Sequence, residues 1–123
     1  SNSSNEFCSD KYLKDNTLLY KGTLRSGEVL ESDGDLIILG DVNPGAIVIA
    51  NANIIIWGRL LGTAHAGKSG DSNSKIAALQ LRPLQLRISD KIARGPKEKP
   101  EEGLAEQAEI DAGEIVIKPA KTI

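Results

Sequence analysis

Two consecutive segments, GTLRSGEVLESDGDLIIL (Gly22–Leu39) and GDVNPGAIVIANANIIIW (Gly40–Trp57), decide how this chain folds. Written one above the other, Gly27 falls on Gly45, Leu24 on Val42, Val29 on Ile47, Leu36 on Ile54 and Leu39 on Trp57. Gly58 keeps the 18-residue step and opens GRLLGTAHAG (Gly58–Gly67). A polar insertion, KSGDSNS (Lys68–Ser74), stretches this third unit before KIAAL (Lys75–Leu79). A fourth unit, QLRPLQLRI (Gln80–Ile88), is degenerate and reads as a cap.

A fixed internal period means stacked supersecondary units. Eighteen residues are too few for a strand–helix–strand unit, which needs about 30. They suffice for three short strands joined by tight turns. The expected fold is therefore all-β: a short parallel β-helix, a triangular solenoid of three to four coils spaced about 4.8 Å apart. Composition agrees, because 3% aromatic residues and twelve glycines leave Ile, Leu, Val and Ala to build a flat, repetitive core. At the corners, Pro44 fixes φ and Gly45 supplies a positive φ, Asn51 and Asn53 tolerate the left-handed region, and Asp33-Gly34-Asp35 serves the same corner one coil earlier.

LIIL (Leu36–Leu39) and IIIW (Ile54–Trp57) do not alternate, so these strands carry apolar residues on both sides. One side fills the coil. The other, expected to be Ile37, Leu39, Ile55 and Trp57, forms an outward ledge. A thin solenoid core favours oligomerisation, which makes this ledge a candidate homodimer interface. The alternatives are the opposite parity (Leu36, Ile38, Ile54, Ile56), or a ledge covered by the C-terminal segment.

Outside the repeat, residues 1–16 (SNSSNEFCSDKYLKDN) are polar and aperiodic and read as a disordered linker or expression remnant. Residues 17–94 form the β-helix domain, and 95–123 a C-terminal loop and strand docking on it. Within that tail, 95–109 reads as loop with at most a short helix around Leu104–Ala108, and EIVIKP (Glu114–Pro119) as a strand. The chain begins with Ser1, which reads as a fragment with a further domain upstream.

Several function classes lose support. Net charge is −2 with both signs interspersed, unlike a nucleic-acid binder. The single Cys8 has no intrachain disulfide partner, and with the single His65 it makes no zinc constellation. No apolar run approaches the roughly 20 residues of a membrane span, and the expectation is a soluble cytoplasmic protein.

GTAHAGKS (Gly62–Ser69) matches the phosphate-binding pattern G-x-x-x-x-G-K-[ST]. That loop normally opens a helix whose N-terminus holds phosphate, whereas here GDSNSK (Gly70–Lys75) reads as a turn. A phosphate-loop enzyme is therefore the weaker alternative, and the stretch is read as the turn of the third coil's insertion. His65 reads as a packed or exposed turn histidine.

LRSGE (Leu24–Glu28) is more informative, since the matching corner in the next coil is the plain turn VNPGA (Val42–Ala46). Arg25 can make forked hydrogen bonds to a partner's carboxylate. Taken together, LRSGE, GDVNPGA, IIIWGRLLGTAHAG, IAALQLRPLQLRI and EIVIKP resemble the C-terminal domain family of MinC, a bacterial septum-site-determining protein, over about residues 17–119 and closest to its cyanobacterial branch. The resemblance implies a right-handed β-helix that dimerises through one face, carries no catalytic activity and needs no cofactor. It implies binding to the membrane-associated ATPase MinD in its ATP form, which brings the protein from the cytoplasm to the inner face of the membrane without inserting it. There it opposes FtsZ assembly and septation, FtsZ being engaged mainly by an N-terminal domain outside this sequence.

The family's Arg-Ser-Gly-Gln signature lands on Arg25, Ser26, Gly27 and Glu28, with an acid in place of the usual Gln; Gly45 belongs to the same MinD-facing surface. Leu61 stands where many members have a basic residue. A bactofilin-like scaffold that polymerises end to end is the alternative non-enzymatic reading.

Overall fold

The computed structural model describes residues 16–94 and 104–120. Residues 1–15, most of the polar leader, lie outside them, as do residues 95–103. Eleven strands are present among the described residues, and no helix. They are β1 (Leu18–Lys21), β2 (Val29–Ser32), β3 (Leu36–Leu39), β4 (Ile47–Ala50), β5 (Ile54–Leu60), β6 (Thr63–Ala66), β7 (Ile76–Leu81), β8 (Gln85–Ile88), β9 (Lys91–Arg94), β10 (Glu106–Asp111) and β11 (Glu114–Pro119). Strands β1 to β8 alternate between a six-stranded sheet, β1-β3-β5-β7-β10-β11, and a five-stranded sheet, β2-β4-β6-β8-β9; β9 stays in the second, and β10 and β11 both join the first.

Strands one coil apart pair in parallel. Leu36 faces Ile54, Val29 faces Ile47 and Leu24 faces Val42, which is the register of the 18-residue period. The third side is narrow: the bridges Leu24–Val42–Leu60 continue into Leu60–Leu81. The fold is a β-solenoid of about four coils.

The core is a ladder of aliphatic side chains. Leu36, Ile38, Ile54, Ile56 and Ile76 enter from one sheet, Val48, Ala64, Leu86 and Ile88 from the other, and Leu24, Val42, Leu60 and Leu81 from the third side, all essentially buried. The opposite-parity alternative for the ledge is thereby excluded from the surface, because Leu36, Ile38, Ile54 and Ile56 are the core. The period has a steric anchor as well. A Cβ on Gly40 would overlap the Gly22 carbonyl, and one on Gly58 the Gly40 carbonyl, so the coils approach most closely along this glycine column.

Three expectations are corrected. Asn51 and Asn53 do not adopt positive φ; they act through their side chains. Asn51 Nδ2 donates to the Asp33 carbonyl at 2.9 Å, and Asn53 donates from its backbone N and from Nδ2 to Asp35 Oδ1 at 3.0 and 3.2 Å. Lys75 N in turn donates to Asn53 Oδ1 at 2.8 Å, so amide side chains rivet three successive coils.

The fourth coil is not degenerate, since β8 pairs with β6 along its whole length. The capping falls instead to antiparallel β9 and to the β10–β11 hairpin.

Residues 104–108 are not helical: Glu106–Ala108 extend β10 against β7. Its partner β11 is reached through a two-residue turn, Ala112-Gly113, with positive φ at both positions (53° and 83°), the type I′ geometry that matches strand twist.

Candidate functional site: the Arg25–Glu28 corner and the apolar ledge

Leu24 is 3% exposed and anchors the first corner in the core. The chain then leaves the solenoid for four exposed residues, Arg25, Ser26, Gly27 and Glu28. Glu28 N donates to the Arg25 carbonyl at 3.0 Å and Gly27 has φ +91°, a turn that requires a left-handed third residue. Directly beneath, Asn43–Ala46 repeats the turn, with Ala46 N on the Asn43 carbonyl at 3.0 Å and Gly45 at φ +91°. Gly27 N donates to the Gly45 carbonyl at 3.0 Å, locking one turn onto the other. The structure thus brings Arg25, Ser26, Gly27, Glu28 and Gly45 into one exposed ridge. Ser26 sits over Gly45 so closely that a Cβ there would overlap Ser26 Oγ.

Glu28 has a definite role. Its Oε1 accepts the Arg25 backbone N–H at 2.7 Å, closing the turn from the side-chain direction. The carbonyl oxygen of a glutamine would do the same, so the acid preserves the turn and alters only the second terminal atom, an anionic oxygen in place of an amide donor. Among the described residues the Arg25 guanidinium has no hydrogen-bond or ion-pair partner.

Arg59 is the contrast. It donates from Nε and Nη2 to Asp41 Oδ2 at 3.2 and 2.8 Å, and its backbone N reaches Asp41 Oδ1 at 2.8 Å. The Arg59 side-chain hydrogen bonds, with the backbone bond behind them, hold the Asp41 carboxyl below its ordinary range.

The corner is not the same in every coil. Four residues separate the third side from the five-stranded sheet in each of the first two coils, Arg25–Glu28 and Asn43–Ala46. Only Leu61 and Gly62 do so in the third, and Arg82–Leu84 in the fourth. The first two turns therefore protrude and the corner steps down beside them. Leu61 and Arg82 occupy the Arg25 column. Sequence reasoning missed Arg82 because the shortened third coil breaks the simple 18-residue register; the recurrence of Leu24-Arg25 as Leu81-Arg82 was the available signal.

On the six-stranded sheet, Ile37, Leu39, Ile55 and Trp57 all point outward, opposite to the core set. Trp57 is 65% and Leu39 40% exposed, and Leu19 on β1 extends the patch at 53%. Among the described residues the C-terminal hairpin continues this sheet beyond β7, its flanking residues Ala105 and Ala120 reaching a hollow beside Trp57. The hollow is shallow and apolar, about 120 Å³, and is lined by Ile55, Ala77, Leu79, Ala105 and Ala120, among others.

The phosphate-loop look-alike is strand and turn. Thr63–Ala66 is β6, Gly67 turns at φ +58°, and Lys68 Nζ pairs with Glu31 at 2.8 Å. His65 Nε2 lies 3.2 Å from the Ser89 carbonyl.

The family model for "Septum formation inhibitor MinC, C-terminal domain" matches residues 18–120. The chain belongs to this family. It is similar to probable septum site-determining MinC proteins from two strains of Prochlorococcus marinus. With that of strain SARG it shares 71% identity over 105 residues, covering 85% of this chain and 48% of the relative. With that of strain MIT 9313 it shares 52% over 124 residues, covering 98% and 55%. The chain thus spans about half the length of these MinC relatives. Among solved structures, a chain of the "MinC:MinD cell division protein complex" from Aquifex aeolicus superposes with a TM-score of 0.80 at 39% identity, covering 89% of this chain and 90% of that one.

Proposed function

We propose that this domain is the non-catalytic recruiting and dimerising part of a septum-site regulator. Its Arg25–Glu28 corner, stacked on Gly45, docks a MinD-type ATPase in the ATP-bound state at the membrane. Its ledge of Ile37, Leu39, Ile55 and Trp57 pairs two copies. Recruitment concentrates the inhibitor of FtsZ assembly at the inner face of the cytoplasmic membrane and blocks septum formation there.

The observation that carries this reading is the exposed Arg25 turn, its guanidinium unpartnered among the described residues, in a chain of MinC fold. A charged group held ready on a rigid corner suits forked recognition of a carboxylate. Gly27, with nothing within 4 Å of the position its Cβ would take, leaves room for close backbone approach. Pairing through the ledge adds avidity, because two corners engage two partners on one surface.

The test is co-sedimentation of the protein with MinD and lipid vesicles, with ATP compared with ADP. ATP-dependent recruitment, weakened by about 1–3 kcal/mol in Arg25→Ala, is the expected outcome. Equal recruitment with both nucleotides, or an unaffected Arg25→Ala variant, refutes the reading.

A further inference from the structure

The step in the corner leaves a hollow of about 240 Å³ lined by Thr63, Leu84, Gln85 and Arg94. Thr63, Gln85 and Arg94 form one row across β6, β8 and β9 of the five-stranded sheet. Arg82 stands two residues before Leu84, at the head of the same shortened corner. Among the described residues neither Arg82 nor Arg94 has an acidic partner, and Arg82 Nε is buried with no hydrogen bond at all. Leu84 is 58% exposed at the lip.

Arg82 also lies in the Arg25 column. The backbone ladder runs through Leu24, Val42, Leu60 and Leu81, and Asn43 N, Leu61 N and Arg82 N each donate to a residue of the preceding coil at 2.8–3.0 Å. Three strand spacings separate the two arginines, about 14 Å. Between them stand the polar Asn43 and the apolar Leu61. The corner therefore carries Arg25 on the protruding ridge and Arg82 two residues from Leu84, with Arg94 lining the hollow itself.

We propose that Arg82 and Arg94 form a second anchoring pole for the partner that docks at Arg25, taking an acidic side chain of that partner into the stepped hollow. This rests on the corner being the MinD-facing site. Charge complementarity is the argument. A folded domain that pairs Arg59 with Asp41, Lys68 with Glu31 and Lys118 with Glu109 leaves Arg25, Arg82 and Arg94 without an acidic partner among the described residues; Arg87, also without one, stands apart in the row of His65 and Ile92. A partner long enough to span both poles meets cation, polar turn, apolar step and cation in that order.

The test measures MinD binding on vesicles with ATP, at low and high potassium chloride, for the wild type, Arg25→Ala, Arg82→Ala, Arg82→Lys, Arg94→Ala and the Arg82→Ala/Arg94→Ala double variant. Arg82→Ala and Arg94→Ala are each expected to weaken binding about three- to tenfold at low salt and to flatten its salt dependence, as removal of a rim charge does. The double variant is expected to be weaker still, and Arg82→Lys intermediate. Thermal melts identify any variant that fails to fold; Arg94 is exposed, so Arg94→Ala keeps the test decisive if Arg82→Ala does not fold. If Arg25→Ala loses binding while the folded Arg82 and Arg94 variants match wild type, the second pole is refuted and the corner reading stands. If Arg25→Ala also binds normally, the corner reading itself is overturned.

Discussion

Gly27 and Gly45 occupy equivalent positions with the same φ of +91°, yet alanine at the two sites should have very different consequences. An alanine at either pays roughly 1–2 kcal/mol for a left-handed conformation, partly offset by about 0.4–1 kcal/mol because it also restricts the unfolded chain. For Gly27→Ala nothing else is added, since no heavy atom lies within 4 Å of its Cβ position, and the net loss is about 1 kcal/mol. At Gly45 the new methyl overlaps Ser26 Oγ and crowds the Ser26 Cβ and Cα at 3.0 and 3.2 Å. Turning the hydroxyl away does not relieve the last two contacts. Overpacking of this kind costs a further ~1–3 kcal/mol. In a domain of this size each 1 kcal/mol lowers Tm by about 4–8 °C, so thermal melts followed by circular dichroism separate the two variants. Adding Ser26→Gly should recover most of the difference in the Gly45→Ala background and little in the Gly27→Ala background. Equal melting temperatures for the two alanine variants, or no recovery with Ser26→Gly, would refute the stacked-turn account of the corner.

Trp57→Glu should leave folding intact, because the side chain is largely exposed, and weaken dimerisation by about 30-fold or more if the indole is a central anchor; sedimentation equilibrium giving an unchanged dimer would remove the ledge from the interface. Asn53→Ala should lower stability by about 1–2 kcal/mol, read from the urea midpoint, since it removes the Nδ2 bond to Asp35 Oδ1 and leaves Lys75 N without its acceptor, while the backbone bond from residue 53 to Asp35 remains; a neutral result would mean that the amide side chains contribute nothing. Asp41 has a depressed folded-state pKa, so its contribution is present above the ordinary value of 3.8 and is lost as pH falls through the lower, folded value. Urea midpoints should therefore show an acid-side loss in the wild type that is smaller in Asp41→Asn; identical acid profiles would count against the Arg59 pairing.

The solenoid was readable because its corners make chemical demands. Glycine must recur where one coil's carbonyl occupies the space of the next coil's Cβ, and Pro44-Gly45 announces a tight turn. The ledge was expected on Ile37, Leu39, Ile55 and Trp57, but runs with apolar residues on both sides leave the parity open, and it is the burial of Leu36, Ile38, Ile54 and Ile56 that decides it. What stayed hidden has physical causes. Asn51 and Asn53 carry side chains able either to tolerate a positive φ or to bond an adjacent strand, and only the coil spacing decides between them. The segment Leu104–Ala108 has helix-favouring composition, but the free edge of β7 draws it into a strand, a tertiary demand that overrides local preference. The shortened corner at Leu61-Gly62 was concealed because the polar insertion later in the same coil lengthens it again. Arg25 could be singled out by comparing two neighbouring turns; Arg82 could not until that compensation was seen.

A ladder of identical rungs gives a ligand no address: a partner that recognises one corner of a perfect solenoid would fit the next as well, displaced by one strand spacing. The shortened third corner removes that degeneracy. Among the described residues only one place along the edge has two proud turns followed by a step, and it reads differently from its two ends. Loss of two residues from one turn thus converts a translationally repetitive scaffold into a surface with a single position and a single polarity for binding.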